Sequence, residues 1–195
     1  LLGRMDEEHR RRLAQISSQK KAEVELVSEL MWQGSQHEEF GGKFKFAIEN
    51  KRRDLTVRDA ATGTLLEWVE AKFCYSDDLA RHVWRAASPT RYPIKAIAAD
   101  VEKQSRRDDD VIATNILFVA HFNEYAADFK YFADFRRDRR LRQSDEVKAD
   151  SRAFATGNGI VGLARHINRT LCDESSFSLQ FDENVQLHTY VFRDA

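Results

Sequence analysis

Asp54, Glu70 and Lys72 are the residues of this chain whose types and spacing are best suited to chemistry. Residues Arg53 to Asp59 and Leu65 to Tyr75 both read as strands, and Ala60-Ala61-Thr62-Gly63-Thr64 between them reads as a hairpin loop with Gly63 for a left-handed position. If the loop is symmetric, Asp59 pairs with Leu65, and equal steps outward set Asp54 opposite Glu70. Cross-strand partners have Cβ atoms roughly 5 Å apart, so two carboxylates would share one spot on the sheet. Strand alternation puts Lys72 on the face of Glu70 and turns Ala71 to the other. Carboxylates this close repel unless a cation or proton lies between them. Mg²⁺, or Mn²⁺ in its place, suits because it takes oxygen ligands, keeps waters and contacts a substrate phosphate. A lysine beside it orients or activates one of those waters, and the chemistry expected of such a site is in-line hydrolysis of a phosphodiester. The competing reading is an exposed hairpin that carries a Glu70-Lys72 surface pair, with Asp54 merely opening a strand.

The elements that must position these residues follow from periodicity. From about Asp6 to Gln33 the chain has no Gly or Pro, and Leu13, Ile16, Leu26, Val27, Leu30 and Met31 recur at helical spacing, which predicts one long amphipathic helix. Gly34 and then Gly41-Gly42 punctuate its end, and Phe44, Phe46 and Ile48 alternate with Lys45, Ala47 and Glu49 as in a strand. After the hairpin come a short helix over Asp77 to Ala87 and a second main helix that starts after Pro93 and ends near Arg107. A buried strand over Val111 to Phe122 follows. Beyond Asn123 the pattern gives helices over about Glu124 to Arg142 and Gly159 to Leu171. Two strands, Phe177 to Phe181 and Val185 to Phe192, then flank an Asp182-Glu183-Asn184 turn. The fold class is α/β, one domain over 1–195, with a core over about 10–122 and the remainder as a helical and hairpin cap.

An acid at Asp54 and Glu70-x-Lys72 on the next strand, inside an α-β-β-β-α-β order, resembles the PD-(D/E)XK nuclease superfamily with its restriction-endonuclease-like fold. Arg53 stands where the motif's name has Pro. The resemblance implies a mixed central sheet flanked by helices, metal ligation by Asp54 and Glu70, and Lys72 as water-positioning base or transition-state stabiliser. It also implies a DNA substrate and the pairing of two copies, for which the first helix offers a surface. Many members place a further Glu on that helix. At 100° per residue Glu23 falls within the Ile16-Leu26-Val27-Leu30 stripe, whereas Glu25 and Glu29 point away, so Glu23 is the expected third metal ligand.

Other signals are weaker. Gly157-Asn158-Gly159-Ile160-Val161-Gly162 fits the spacing of a dinucleotide-binding loop, but Asp150 to Thr156 before it do not read as a buried strand, so a helix-entry loop is the expectation. Arg136, Arg137, Arg139, Arg140 and Arg142 crowd a stretch that follows Phe129, Tyr131, Phe132 and Phe135. That run either tracks a nucleic-acid backbone or is a solvated helix face paired with Asp134 and Asp138. Arg53 beside Asp54 is a second contact candidate for nucleic acid, and Arg52, Arg106 and Arg107 are smaller ones. The histidines show no ligand or triad spacing, and the tryptophans read as core, with Trp68 on the face of Glu70.

Composition limits the alternatives. The 31 Lys plus Arg balance 32 Asp plus Glu, so no global positive field announces nucleic acid and any such contact must be a local patch. Two cysteines, Cys74 and Cys172, exclude a disulfide framework and a paired-cysteine zinc site, which is the pattern of a reducing cytosol. The longest apolar run, Ile116 to Ala120, is far short of a membrane span, and the charged first thirty residues do not read as a signal peptide. A cytoplasmic location is expected. Leu1 in place of methionine reads either as a trimmed chain or as a piece of a larger protein. Two functions are carried forward: a Mg²⁺-dependent nuclease acting on DNA, and a module of the same fold that binds nucleic acid or a protein without cleaving. A nucleotide-binding protein built on Gly157 to Gly162 ranks third.

Overall fold

The computed structural model describes residues 6–19, 22–49, 53–75, 94–122, 158–179 and 185–194. They form helices α1 (Glu7–Gln19), α2 (Glu23–Gln36), α3 (Ile94–Gln104) and α4 (Asn158–His166). The strands are β1 (Phe44–Glu49), β2 (Arg53–Asp59), β3 (Leu65–Tyr75), β4 (Ile112–Phe122), β5 (Thr170–Leu179) and β6 (Val185–Arg193). The class is α/β. One six-stranded mixed sheet runs in the order β1-β2-β3-β4-β6-β5, with β3 and β4 parallel and every other neighbouring pair antiparallel.

Strand alternation divides the core between two faces. Val69, Ala71, Phe73 and Tyr75 of β3 pack with Leu13 and Ala14 of α1 and Leu26 and Val27 of α2. On the opposite face Cys74, Leu117, Val119, Tyr190 and Phe192 pack with Ile97 of α3 and Ile160, Leu163 and Ala164 of α4. With helices on both sides, β3 and β4 are covered twice, which is why β4 carries the uninterrupted apolar run Ile116 to Ala120. No helix among the described residues is long and apolar enough to cross a membrane.

Three local expectations are corrected. The single long first helix is two helices: Ala22 precedes α2 at φ −90°, ψ 23°, and is itself fully buried. The apolar stripe runs through both helices, so its period does not register the break. Packing favours the break, since the Tyr75 hydroxyl donates to the Ser17 carbonyl at 2.7 Å, in the last turn of α1 where carbonyls lack helical partners. Second, the hairpin loop is not symmetric. Leu65 pairs with Arg58 rather than Asp59, and a register shift follows between Arg58 and Val57. Asp59 instead folds the loop, its Oδ1 accepting from the Ala61 and Thr62 amides, with Gly63 at φ 74°. From Val57↔Glu67 to Leu55↔Val69 the pairing again runs as counted, so the shift does not reach the Asp54 end. Third, the C-terminal hairpin is not laid over the core as a cap. β6 joins the main sheet beside β4 and β5 forms its edge. The helix expected to reach Leu171 stops at His166, where Asn168 at φ 52° turns the chain and the Arg169 amide bonds the Ala164 carbonyl.

The helices expected over 77–87 and 124–142 lie outside the described residues.

Candidate functional site

Pairing between β2 and β3 ends at Leu55↔Val69, and on that side β3 is left with amides that a strand no longer reaches. Carboxylates take them. Asp54 Oδ2 accepts from the Ala71 amide at 2.7 Å, and Glu23 Oε2, from α2, accepts from the Phe73 amide at 2.9 Å. The fork between the two strands thus places two acids along one edge of β3, and each satisfies a backbone donor that would otherwise be costly to bury.

Lys72 reaches into this fork. Its Nζ donates to the Ala71 carbonyl at 2.6 Å and lies 2.8 Å from Asp100 Oδ2, 3.8 Å from Asp54 Oδ2 and 3.9 Å from Glu23 Oε1. Burial acts to lower the Lys72 pKa, but Asp100, Glu23 and Asp54 outweigh it and hold it above the ordinary lysine value. At neutral pH the group is an ammonium. It can orient a water or stabilise developing negative charge, and the role of free base is closed to it in this arrangement. Burial raises the Glu23 pKa, opposed by Lys72 and the Phe73 amide.

Glu70 is held differently. Its side chain is 3% exposed, so the reading of an exposed hairpin with a Glu70-Lys72 surface pair fails: the residue is buried and its partners are others. Oε1 accepts from Trp68 Nε1 at 2.6 Å and from Lys103 Nζ of α3, and that ammonium also lies 5.4 Å from the centre of the Trp68 ring. Burial pushes the Glu70 carboxyl up to about 7, against the lowering contacts of Lys103 and Trp68 and with the Asp54 and Asp100 charges adding to the rise. The strand pair Glu70-x-Lys72 is therefore answered by a helix pair, Asp100-x-x-Lys103, in two ion pairs, Lys72 with Asp100 and Glu70 with Lys103.

Of the residues expected from sequence, Asp54, Lys72 and Glu23 meet around one ammonium, and Glu70 lies on the same strand with its carboxylate turned to α3. Asp100, Lys103 and Asn115 were missed. The signal for Asp100 was the one that singled out Glu23: an acid three residues after Ile97, on the apolar stripe of its helix. Asn115 is the polar interruption of the β4 run and the register partner of Glu70. Arg53 lies in β2 with its backbone in register with Glu49, and its side chain is outside the described residues, as are Arg52, Arg136, Arg137, Arg139, Arg140 and Arg142. Arg106 is exposed, whereas Arg107 is spent on structure: its Nε donates to the Val111 carbonyl and it pairs with Asp194. Trp68 is core, as expected, while Trp32 is 52% exposed. Gly157 is outside the described residues and α4 begins at Asn158. Among the described residues a Cβ at Gly162 would meet nothing within 4 Å, so none of them makes the close approach that a dinucleotide loop needs of its last glycine.

The donors gathered at the fork are all oxygens, two carboxylates and the Ala71 carbonyl, which is the chemistry of a hard divalent cation. Among the described residues no group of three or more acidic, histidine or cysteine side chains is set to hold a metal ion as it stands. At the fork the Lys72 ammonium occupies the centre of the acids, the position of positive charge that a cation would take. The donor set fits by type, on condition that the ammonium moves aside. No protein-family model, no curated protein and no solved structure matches this chain.

Proposed function

We propose that the chain is a Mg²⁺- or Mn²⁺-dependent nuclease of the restriction-endonuclease-like type that hydrolyses phosphodiester bonds in DNA. The observation that carries this reading is the meeting of Asp54, Glu23, the Ala71 carbonyl and the Lys72 ammonium where β2 parts from β3. The order of α2, three antiparallel strands, α3 and a fourth strand parallel to the third supports it as the resembling core.

In this reading Asp54, Glu23, Glu70 and the Ala71 carbonyl would hold the cation, Glu70 giving up its contact with Lys103 to do so. A bound divalent cation supplies charge stabilisation on the phosphoryl oxygens and a water of lowered pKa. Lys72, kept protonated by three acids, would position an attacking water and offset the negative charge that builds on the phosphate. Asp100, 2.8 Å from the Lys72 ammonium, would keep hold of it once it moves aside from Asp54 and Glu23, and the arginines at 136–142 would contact the DNA backbone.

One observation favours a second reading, a module of this fold that binds nucleic acid or a protein partner without cleaving: Glu70 is committed to Lys103 and Trp68. Plasmid nicking separates the two. With Mg²⁺ or Mn²⁺ the purified chain should nick supercoiled DNA, and Lys72→Ala and Asp54→Ala should each lose about a hundredfold or more. Cleavage that survives both substitutions, or none from the unaltered chain, rules the nuclease out.

A further inference from the structure

On the α3 side of the sheet, Glu70, Lys72, Asp100 and Asn115 line one small cleft together with apolar side chains that include Ile97 and Phe192, with no room for a water while the Lys72 ammonium stands where it does. Asn115 is 3% exposed, and among the described residues no group donates a hydrogen bond to its Oδ1. A buried amide oxygen without a donor is costly, and the neighbouring β4 positions on the same face are apolar, Ala113, Leu117 and Val119. The placement is specific. Asn115 is in parallel register with Glu70, so both side chains leave the same face from adjacent strands about 4.8 Å apart. On its other side its register partner is Phe192, which has no side-chain donor to give.

We infer that Asn115 is a further oxygen donor of the site, its Oδ1 serving beside Glu70 as a neutral ligand for a divalent cation or for one of that cation's waters. The inference rests on the metal reading above and adds to it a residue that neither the motif nor the resemblance supplies. An amide oxygen is suited to the role: it binds a hard cation without adding a charge to a cleft that already holds Glu70 and Asp100. The unpartnered acceptor is then a cost of the metal-free fold that the cation offsets.

The test uses the full chain, with Mn²⁺ alone as the probe. Mn²⁺ affinity is read by calorimetry and metal-free stability by thermal melting in chelator, for the unaltered chain, Asn115→Leu and Asn115→Asp. Removing the lone acceptor should leave Asn115→Leu melting at or above the unaltered chain in chelator while it binds Mn²⁺ about tenfold or more weakly. Asn115→Asp, which places a charged oxygen at the same point, should bind Mn²⁺ more tightly than the unaltered chain. Unchanged Mn²⁺ affinity in both variants overturns the role of Asn115 and leaves the metal reading standing. Asn115→Leu melting well below the unaltered chain, with Asn115→Asp no tighter for Mn²⁺, makes the residue structural and also overturns it. If the unaltered chain binds no Mn²⁺, the metal reading and this inference fall together.

Discussion

At the scale of single residues the site is a balance of charges in a half-buried place. Three acids hold one lysine, and one buried acid is held by a second lysine and an indole. The sequence made Asp54, Glu23 and Lys72 legible because each breaks a pattern or completes a motif. Asp100 broke a pattern just as visibly and was passed over for want of a motif. The partner choice of Glu70 was not legible at all, since which of two lysines a carboxylate meets depends on where α3 lands on the sheet. Glu70 also has a consequence for stability. Its carboxyl is raised by burial from 4.5 to about 7, so between those values the folded chain keeps a proton that the unfolded chain has lost. Stability should therefore fall as pH rises through that window, the cost being absent below pH 4.5 and complete above about 7. Urea unfolding in chelator across this range should show that fall in the unaltered chain and a flatter profile in Glu70→Gln, where no carboxyl titrates. An identical slope in the two would mean that Glu70 does not carry the shift.

At the scale of elements, the strands were legible because alternation and β-branched runs are local signals, and β1, β2 and β3 begin and end where the pattern put them. What escaped was set largely by contacts distant in sequence, the break at Ala22 and the entry of β5 and β6 into the main sheet, while the asymmetry of the hairpin came from a local side-chain turn at Asp59 that strand counting does not register. The glycines show the difference between punctuation and requirement. Gly41 and Gly42 both mark the end of α2 and the entry to β1, but only one of them is sterically fixed. A Cβ at Gly41 would lie 2.3 Å from the Ser35 carbonyl oxygen, a backbone atom that cannot swing away, whereas at Gly42 nothing lies within 4 Å. Gly41→Ala should cost about 1–3 kcal/mol in chemical denaturation, as overpacking does, and Gly42→Ala should change little. Equal effects at the two positions would contradict the assignment of this turn, whose Gly41 amide bonds the His37 carbonyl at 2.7 Å.

At the scale of the whole molecule, the fold is one sheet clad on both faces, and the site lies where its two halves meet: α2 and β2 supply acids from one side, α3 from the other, and β3 carries the lysine between them. The predicted α-β-β-β-α-β order is present and the sheet is wider than expected by two strands, since hairpin pairing within the C-terminal region was visible but its docking against β4 was not. The proposed cation site is the fork between β2 and β3, where the Lys72 ammonium now stands among the acids. A crystal of the chain soaked in Mn²⁺ and measured at the manganese absorption edge tests it directly. The expected result is an anomalous peak bonded to the Asp54 carboxylate and the Ala71 carbonyl, with the Lys72 ammonium displaced from its place between Asp54 and Glu23. No peak at saturating Mn²⁺, with Lys72 still bonded to the Ala71 carbonyl, would contradict it.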